Sequence, residues 1–285
     1  MERANSSGKI THLPWAHLRL PPFPQVAVRV LQLVNNENVQ LHQLSDLISS
    51  DPAFASEVLT VANSALYALR YPANSILQAV AVLGGNALQG MCITVGVRAY
   101  LGKSMALPAM KILWVHNLAC AIIADRIAAR APLDKEIAYT AGILHDIGRA
   151  ALAVIQPREY ADLLARHRGT AESMLEEERG LFGLDHCEAG LQLIDNWLLP
   201  SEFKSIVANH HTYANSPNQW NMAELVKISC RMADALGYPA FAGCVSAPYE
   251  ELLAELPKQA RAGLHPDRVE FAAEIAEAIR AIELA

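Results

Sequence analysis

The chain has 285 residues, enough to bury one elaborate core or two modest ones. Hydrophobic residues make up 52% and charged residues 18%, and Ala and Leu dominate over β-branched and aromatic residues, so the composition predicts helices packed on helices, an all-α fold. A formal net charge of -6 offers no basic field for a phosphate backbone or anionic lipid, which sets nucleic acid aside as a partner.

Met1 to His12 is polar and lacks the apolar core of a secretory signal, so the expected location is cytoplasmic. Leu20-Pro21-Pro22-Phe23-Pro24 excludes helix, and the apolar spacing of Val26, Val30, Leu33 and Val34 predicts an amphipathic helix entered from those prolines. Asp51-Pro52 pairs an N-cap with a first-turn proline, launching a helix whose core stripe is Phe54, Val58, Leu59, Val61 and Ala62. Asn63-Ser64 weakens this helix and Tyr71-Pro72 ends it. No Asp, Glu, Lys or Arg occurs from Tyr71 to Val97, a length that raises a membrane span. Asn74, Gln78, Asn86, Gln89 and the Gly84-Gly85 pair interrupt the run, which reads instead as a buried pair of core helices, with no membrane expected.

Gly102 to Pro108 reads as a linker, followed by a helix from about Ala109 to Ala131 that carries Trp114 and His116 and stops at Pro132. Asp134 can cap the next helix, which runs through Ile137, Ala141 and Leu144 and puts His145 and Asp146 at its end, with Gly148 loosening the backbone just beyond. Asp185-His186-Cys187-Glu188 has the form of a capping box, so His186 takes the first helical position. Pro200-Ser201 starts a helix reaching His210-His211, and Met222 to Leu236 forms another that contains Asp234 and ends at Gly237-Tyr238-Pro239. From Pro248 onward the pattern is charged and helical, a peripheral appendage. Cys92, Cys120, Cys187, Cys230 and Cys244 are odd in number and widely spaced, which suits reduced thiols, most of them small core residues.

The stretch Gly142 to Arg149, GILHDIGR, sets a histidine and an aspartate in apolar sequence. An ionised carboxylate buried without partners costs several kcal/mol, so Asp146 is exposed, caps a helix starting at Ile147, or meets a cation. Five of the ten histidines, His116, His145, His186, His210 and His211, lie at or near helices in mainly apolar segments. Imidazoles with a bridging carboxylate suit Fe, Mn, Co, Ni or Zn better than Mg or Ca. Each residue also has a plain structural reading, as a hydrogen-bonded core histidine, a surface helix-start residue, or a partner of a helix dipole.

The order His116, His145-Asp146, His186, His210-His211, Asp234 resembles the ligand series of the HD superfamily of metal-dependent phosphohydrolases, particularly its HD-GYP branch. Leu20 to Pro24, DPAFASEVLTVANSALY from Asp51 to Tyr67, ILQAVAVLGG from Ile76 to Gly85, Trp114 to His116, and LIDNWLLP from Leu193 to Pro200 look like the HDOD domain, an HD-related output module of bacterial signalling. The resemblance covers about Leu18 to Leu236. It implies an N-terminal helical lobe (18–108) packed on an HD-type metal-binding lobe (109–247), between a short extension (1–17) and a C-terminal appendage (248–285).

Carried over residue by residue, the resemblance implies two transition-metal ions. His116, His145, Asp146 and Asp234 would hold one, and His186, His210 and His211 the second, with Asp146 bridging. Asn117, Asn209 and Glu188 are candidate acceptors for the imidazole N–H groups. Arg149 stands where the phosphohydrolase motif HDxGK has lysine, and Thr212-Tyr213-Ala214 follows His211 where an acidic residue and a GYP segment are expected. Ile112, one turn before His116, offers no carboxylate for a third ion. Two functions follow. One is a regulatory module whose metal centre is structural or sensory and whose partners are signalling proteins. The other is a phosphohydrolase acting on a phosphate-containing small molecule such as a nucleotide or cyclic dinucleotide, with Asp146 and Arg149 as the catalytic pair.

Overall fold

The computed structural model describes residues 22–34, 39–64, 66–67, 69–211 and 220–283. Among these every regular element is helical, and the one β-type contact is an isolated parallel bridge between Gly169 and Cys244. Leu20, Pro21, and Thr212 to Ala214 lie outside the described residues.

Pro22-Phe23-Pro24 enters helix α1 (Gln25–Val34), and Phe23 stacks on Trp197 with ring centroids 4.5 Å apart, so the entry is pinned to the far part of the chain. Helix α2 (Leu41–Ser49) is followed by α3 (Pro52–Ala62), whose first turn is capped by Asp51 accepting the Phe54 N–H at 3.1 Å. The sequence pattern carries α3 to Tyr71, but it stops at Ala62. The Asn63 amide instead exchanges two hydrogen bonds with the Ala73 backbone, at 2.7 and 3.0 Å, and these hold the loop across its base.

Helix α4 (Ile76–Leu101) contains the expected break: Gly84 has φ 84°, a left-handed conformation that favours glycine, and divides the run into two helices. By length and composition the stretch Ile76–Ala106 could cross a bilayer, yet 61% of its most apolar window is buried inside the protein. The Gly102 to Pro108 linker contains a 3-10 turn (Gly102–Ala106) that leads into α5 (Pro108–Ala128).

Helix α5 is buried along most of its length and packs against α6 (Lys135–Leu144) and α12 (Met222–Ala235). Helix α7 (Ile147–Ile155) lies on α10 (His186–Asn196), and α8 (Pro157–Arg166), α9 (Ala171–Phe182) and α11 (Glu202–Asn209) close the rim. A Cβ at Gly148 would come within 1.8 Å of the His186 carbonyl oxygen, so this glycine serves close approach of α7 to α10 rather than loosening of the backbone.

The last helices, α13 (Tyr249–Glu255), α14 (Lys258–Arg261) and α15 (Arg268–Glu283), are not peripheral. Tyr249, Leu252, Phe271 and Ile275 are fully or almost fully buried in the main core, and α15 packs against α5 and α3. Their charged residues line only the outer face, which made the segment read as an appendage.

Candidate metal centre

Asp146 occupies the N-cap position of α7, yet its side chain makes no capping hydrogen bond. The carboxylate turns inward and is wholly buried. Four imidazoles meet it from four helices: His145 from the end of α6, His116 from the middle of α5, His186 from the first turn of α10, and His210 just past α11. Asp146 Oδ1 lies 3.3 Å from His186 Nε2 and 3.2 Å from His210 Nε2, while Oδ2 lies 3.6 Å from His145 Nε2 and 4.0 Å from His116 Nε2.

The Nδ1 contacts set the ring tautomers. His116 Nδ1 is 2.7 Å from the Tyr238 carbonyl oxygen, His145 Nδ1 2.7 Å from that of Gly142, His210 Nδ1 2.9 Å from that of Val207, and His186 Nδ1 2.6 Å from Glu178 Oε2. Carbonyl and carboxylate oxygens only accept, so each Nδ1 carries the proton and donates. Where burial keeps such a ring neutral, as it does His145 and His210, the lone pair on Nε2 turns toward the carboxylate. His211 Nε2 joins them, 3.0 Å from His186 Nε2.

Acceptors facing acceptors repel unless a proton or a cation sits among them. His145 Nε2 and Asp146 Oδ2 are buried without a hydrogen-bond partner. Two sets of donor atoms converge within 4.8 Å: Asp146, His186, His210 and His211 in one, and His116, His145 and Cys230 in the other. Orphaned lone pairs on nitrogen, oxygen and sulfur fit a transition-metal ion.

Electrostatics agree for three of the rings and differ for a fourth. Burial pushes His145 down to about 3 and lowers His210 and His211, which keeps those rings neutral ligands. Burial and Arg149 also work against charge on His186, but Glu178 and Cys187 together hold it up to about 10, so without an ion this ring carries a proton that a metal would displace. Burial alone would raise Glu178; the charges of His186 and Arg149 bring it down to about 2. Glu178 also accepts from the His186 backbone N–H at 2.9 Å and from the Tyr160 hydroxyl at 2.7 Å.

Arg149 is wholly buried, with Nε 2.9 Å from Asp146 Oδ2, an ion-pair distance without hydrogen-bond alignment. Its Nη1 is 3.4 Å from both Glu178 Oε1 and the Tyr160 hydroxyl. Against burial, which favours protonation of the carboxyl, the Arg149 charge holds Asp146 well below the usual carboxylate range.

The structure thus gathers His116, His145, Asp146, His186, His210 and His211 around one chamber. Asp234 stands apart: its Oδ1 is 3.4 Å from His116 Nδ1, the edge of the ring facing away from Asp146. Cys230, one helical turn earlier on α12, takes the inner edge, with Sγ 3.5 Å from His116 Nε2. The expected acceptors Asn117, Asn209 and Glu188 do not hold the imidazoles. Asn209 donates to the Ser205 carbonyl, Glu188 closes the Asp185 capping box, and three backbone carbonyls and Glu178 take the role instead. Glu178 escapes a sequence reading because it ends the run Glu176-Glu177-Glu178, which looks like a solvated face. A cavity of about 190 Å³ opens on the chamber, with Arg149, His210, His211, Lys227, Cys230 and Asp234 on its walls.

The HDOD domain model matches residues 20–213. An HDOD domain protein of unknown function from Geobacter sulfurreducens is 26% identical, with a TM-score of 0.69 over 94% of this chain and 92% of that one. A candidate signal transduction protein from Marinobacter aquaeolei VT8 shares the fold at 24% identity, with a TM-score of 0.65 over 93% of this chain and 58% of that one. An uncharacterized protein from Treponema pallidum (strain Nichols) is 25% identical over 206 residues, 70% of this chain; the chain spans 39% of that relative's length. With the matched segment covering well over half of its residues, the chain belongs to the HDOD domain family.

Proposed function

We propose that the chain is a signalling module that holds two transition-metal ions in the Asp146 chamber and acts through protein partners rather than turnover. His116, His145 and Asp146 would hold one ion, and His186, His210, His211 and the other Asp146 oxygen the second. Bound ions of this kind supply fixed positive charge and Lewis acidity. The metal-holding residues then lie in a lobe spanning 109–247. The lobe spanning 18–108, where Tyr71, Leu77 and Val82 expose apolar surface, faces the signalling partners. The name of the Marinobacter protein agrees with a signalling role.

One observation carries the non-catalytic reading. The Arg149 guanidinium, at the position where the phosphohydrolase pattern has its phosphate-gripping lysine, is buried and committed to Asp146, Glu178 and Tyr160. A second reading, phosphohydrolysis, draws on the cavity that opens beside the ligands with Lys227 on its wall. Its volume of about 190 Å³ suits a phosphate group better than a whole cyclic dinucleotide, since small-molecule sites commonly run to roughly 300–1,000 Å³. Full-length protein, loaded and analysed for metal, is assayed against nucleotide monophosphates, cyclic nucleotides and cyclic dinucleotides. Two ions per chain without turnover is expected. Turnover that disappears in Asp146→Asn overturns the regulatory reading in favour of the hydrolase.

A further inference from the structure

We propose that Cys230, not Asp234, completes the half of the centre around His116 and His145, so that one of the two ions is bound through sulfur. The inference rests on the metal-binding reading above and concerns which side chain of α12 serves it.

Cys230 and Asp234 are four residues apart on α12 and so share one face, and they straddle the His116 ring. The thiol reaches the Nε2 edge at 3.5 Å; the carboxylate reaches the Nδ1 edge at 3.4 Å. That Nδ1 already donates to the Tyr238 carbonyl at 2.7 Å. Both Asp234 oxygens are also engaged: Oδ1 accepts the Ala240 N–H at 3.2 Å and Oδ2 accepts the Cys244 S–H at 3.3 Å. Asp234 therefore fastens the segment 238–244 to α12 from outside the chamber.

Inside the chamber the donors are differently placed. His116 Nε2, His145 Nε2 and Cys230 Sγ lie within 4.8 Å of one another. His145 Nε2 and Asp146 Oδ2 are buried, have no hydrogen-bond partner and are 3.6 Å apart. Two imidazole nitrogens, one sulfur and one carboxylate oxygen make a four-donor set, the number and chemistry that Zn, Co or Fe accepts and that Mg or Ca does not. On binding, the Cys230 S–H bond breaks, its proton passes to solvent, and the sulfur lone pair forms the metal bond, with no change of oxidation state. A thiolate in this place makes the half-site softer than an all-nitrogen-and-oxygen one and biases it away from Mn.

The test titrates metal-stripped full-length protein with Co(II) and records the near-ultraviolet and visible spectrum alongside bound cobalt. A sulfur-to-cobalt charge-transfer band is expected in the native chain, lost in Cys230→Ser and kept in Asp234→Asn and Cys244→Ser. Cobalt bound without that band, or a band that survives in Cys230→Ser, overturns the sulfur ligand while leaving the metal reading intact. No bound cobalt defeats the metal reading itself and this inference with it. To guard against a misfolded variant, Cys230 alkylation in the native chain is followed by mass spectrometry with and without cobalt. Slowing of at least tenfold is expected, and equal rates overturn the proposal.

Discussion

The side chains in the interior enclosed by α1 to α4 and those in the interior around Asp146 are both buried, but opposite means hold them together. Leu44, Ile48, Val58, Leu88 and Ile93 fill the first with aliphatic carbon, and its buried polar side chains, Ser45, Ser64, Gln89 and Thr94, carry no charge. Each such aliphatic side chain contributes about 1.5–3 kcal/mol by leaving water, independently of pH or ions. The second encloses His116, His145, Asp146, Arg149, Glu178, His186 and His210, where desolvation opposes folding and only pairing offsets it. The first region is thus a scaffold indifferent to conditions, while the stability of the second depends on which positive charges are present.

The largest expected effect breaks the charged interior. Arg149→Met removes the cation facing Asp146 and Glu178, and the metal-free chain should lose about 3–5 kcal/mol in urea unfolding, the cost of an unpaired buried charge. Added transition metal should restore part of that loss. In the apolar interior, Leu44→Ala should cost about 2–5 kcal/mol, and the loss should be the same with and without metal. A metal-dependent Leu44 effect would erase the contrast between the two regions.

A smaller change sharpens the contrast without dismantling it. Glu178→Gln keeps the shape but weakens the acceptor that orients His186, and metal affinity by calorimetric titration should fall about 10–100-fold. Titration of the metal-free chain probes the same pair. Glu178, held down to about 2 against roughly 4.3 when unfolded, contributes stability in full above about pH 4.3 and loses it as pH falls through 2. His186, held up to about 10 against roughly 6.5, contributes in full below about pH 6.5 and loses it as pH rises through 10. The urea midpoint should therefore plateau between those limits and fall on both sides. The smallest effect is Asp51→Ala, which removes the α3 cap and should cost about 1 kcal/mol by thermal unfolding, with no change in metal binding.

Local signals were legible in the sequence and long-range ones were not. The caps Asp51, Asp134 and Asp185 can be read directly because a cap joins residues three apart. The break at Gly84 can be read for a similar reason, since glycine tolerates the left-handed backbone it needs. The histidines stand out because their neighbours are apolar. Glu178 and Cys230 stay hidden because each looks ordinary within its own helix, one in an acidic run and the other a lone thiol between Ser229 and Arg231, and each acquires its role only when α9 meets α10 and α12 meets α5. Spacing places Arg149 in one motif with Asp146 but does not show that its guanidinium is enclosed between Asp146, Glu178 and Tyr160. The Asn63 clasp on Ala73, ten residues away, ended α3 early for the same reason.

The guanidinium beside Asp146 has a consequence for how the chain comes into being. In small zinc domains the ion is itself the folding energy, and the polypeptide stays a coil until it arrives. Here a covalently resident counter-charge already faces the carboxylate, backed by a core of aliphatic carbon. The buried carboxylate therefore has a partner within the chain itself, and folding of the metal-free polypeptide does not wait on an ion.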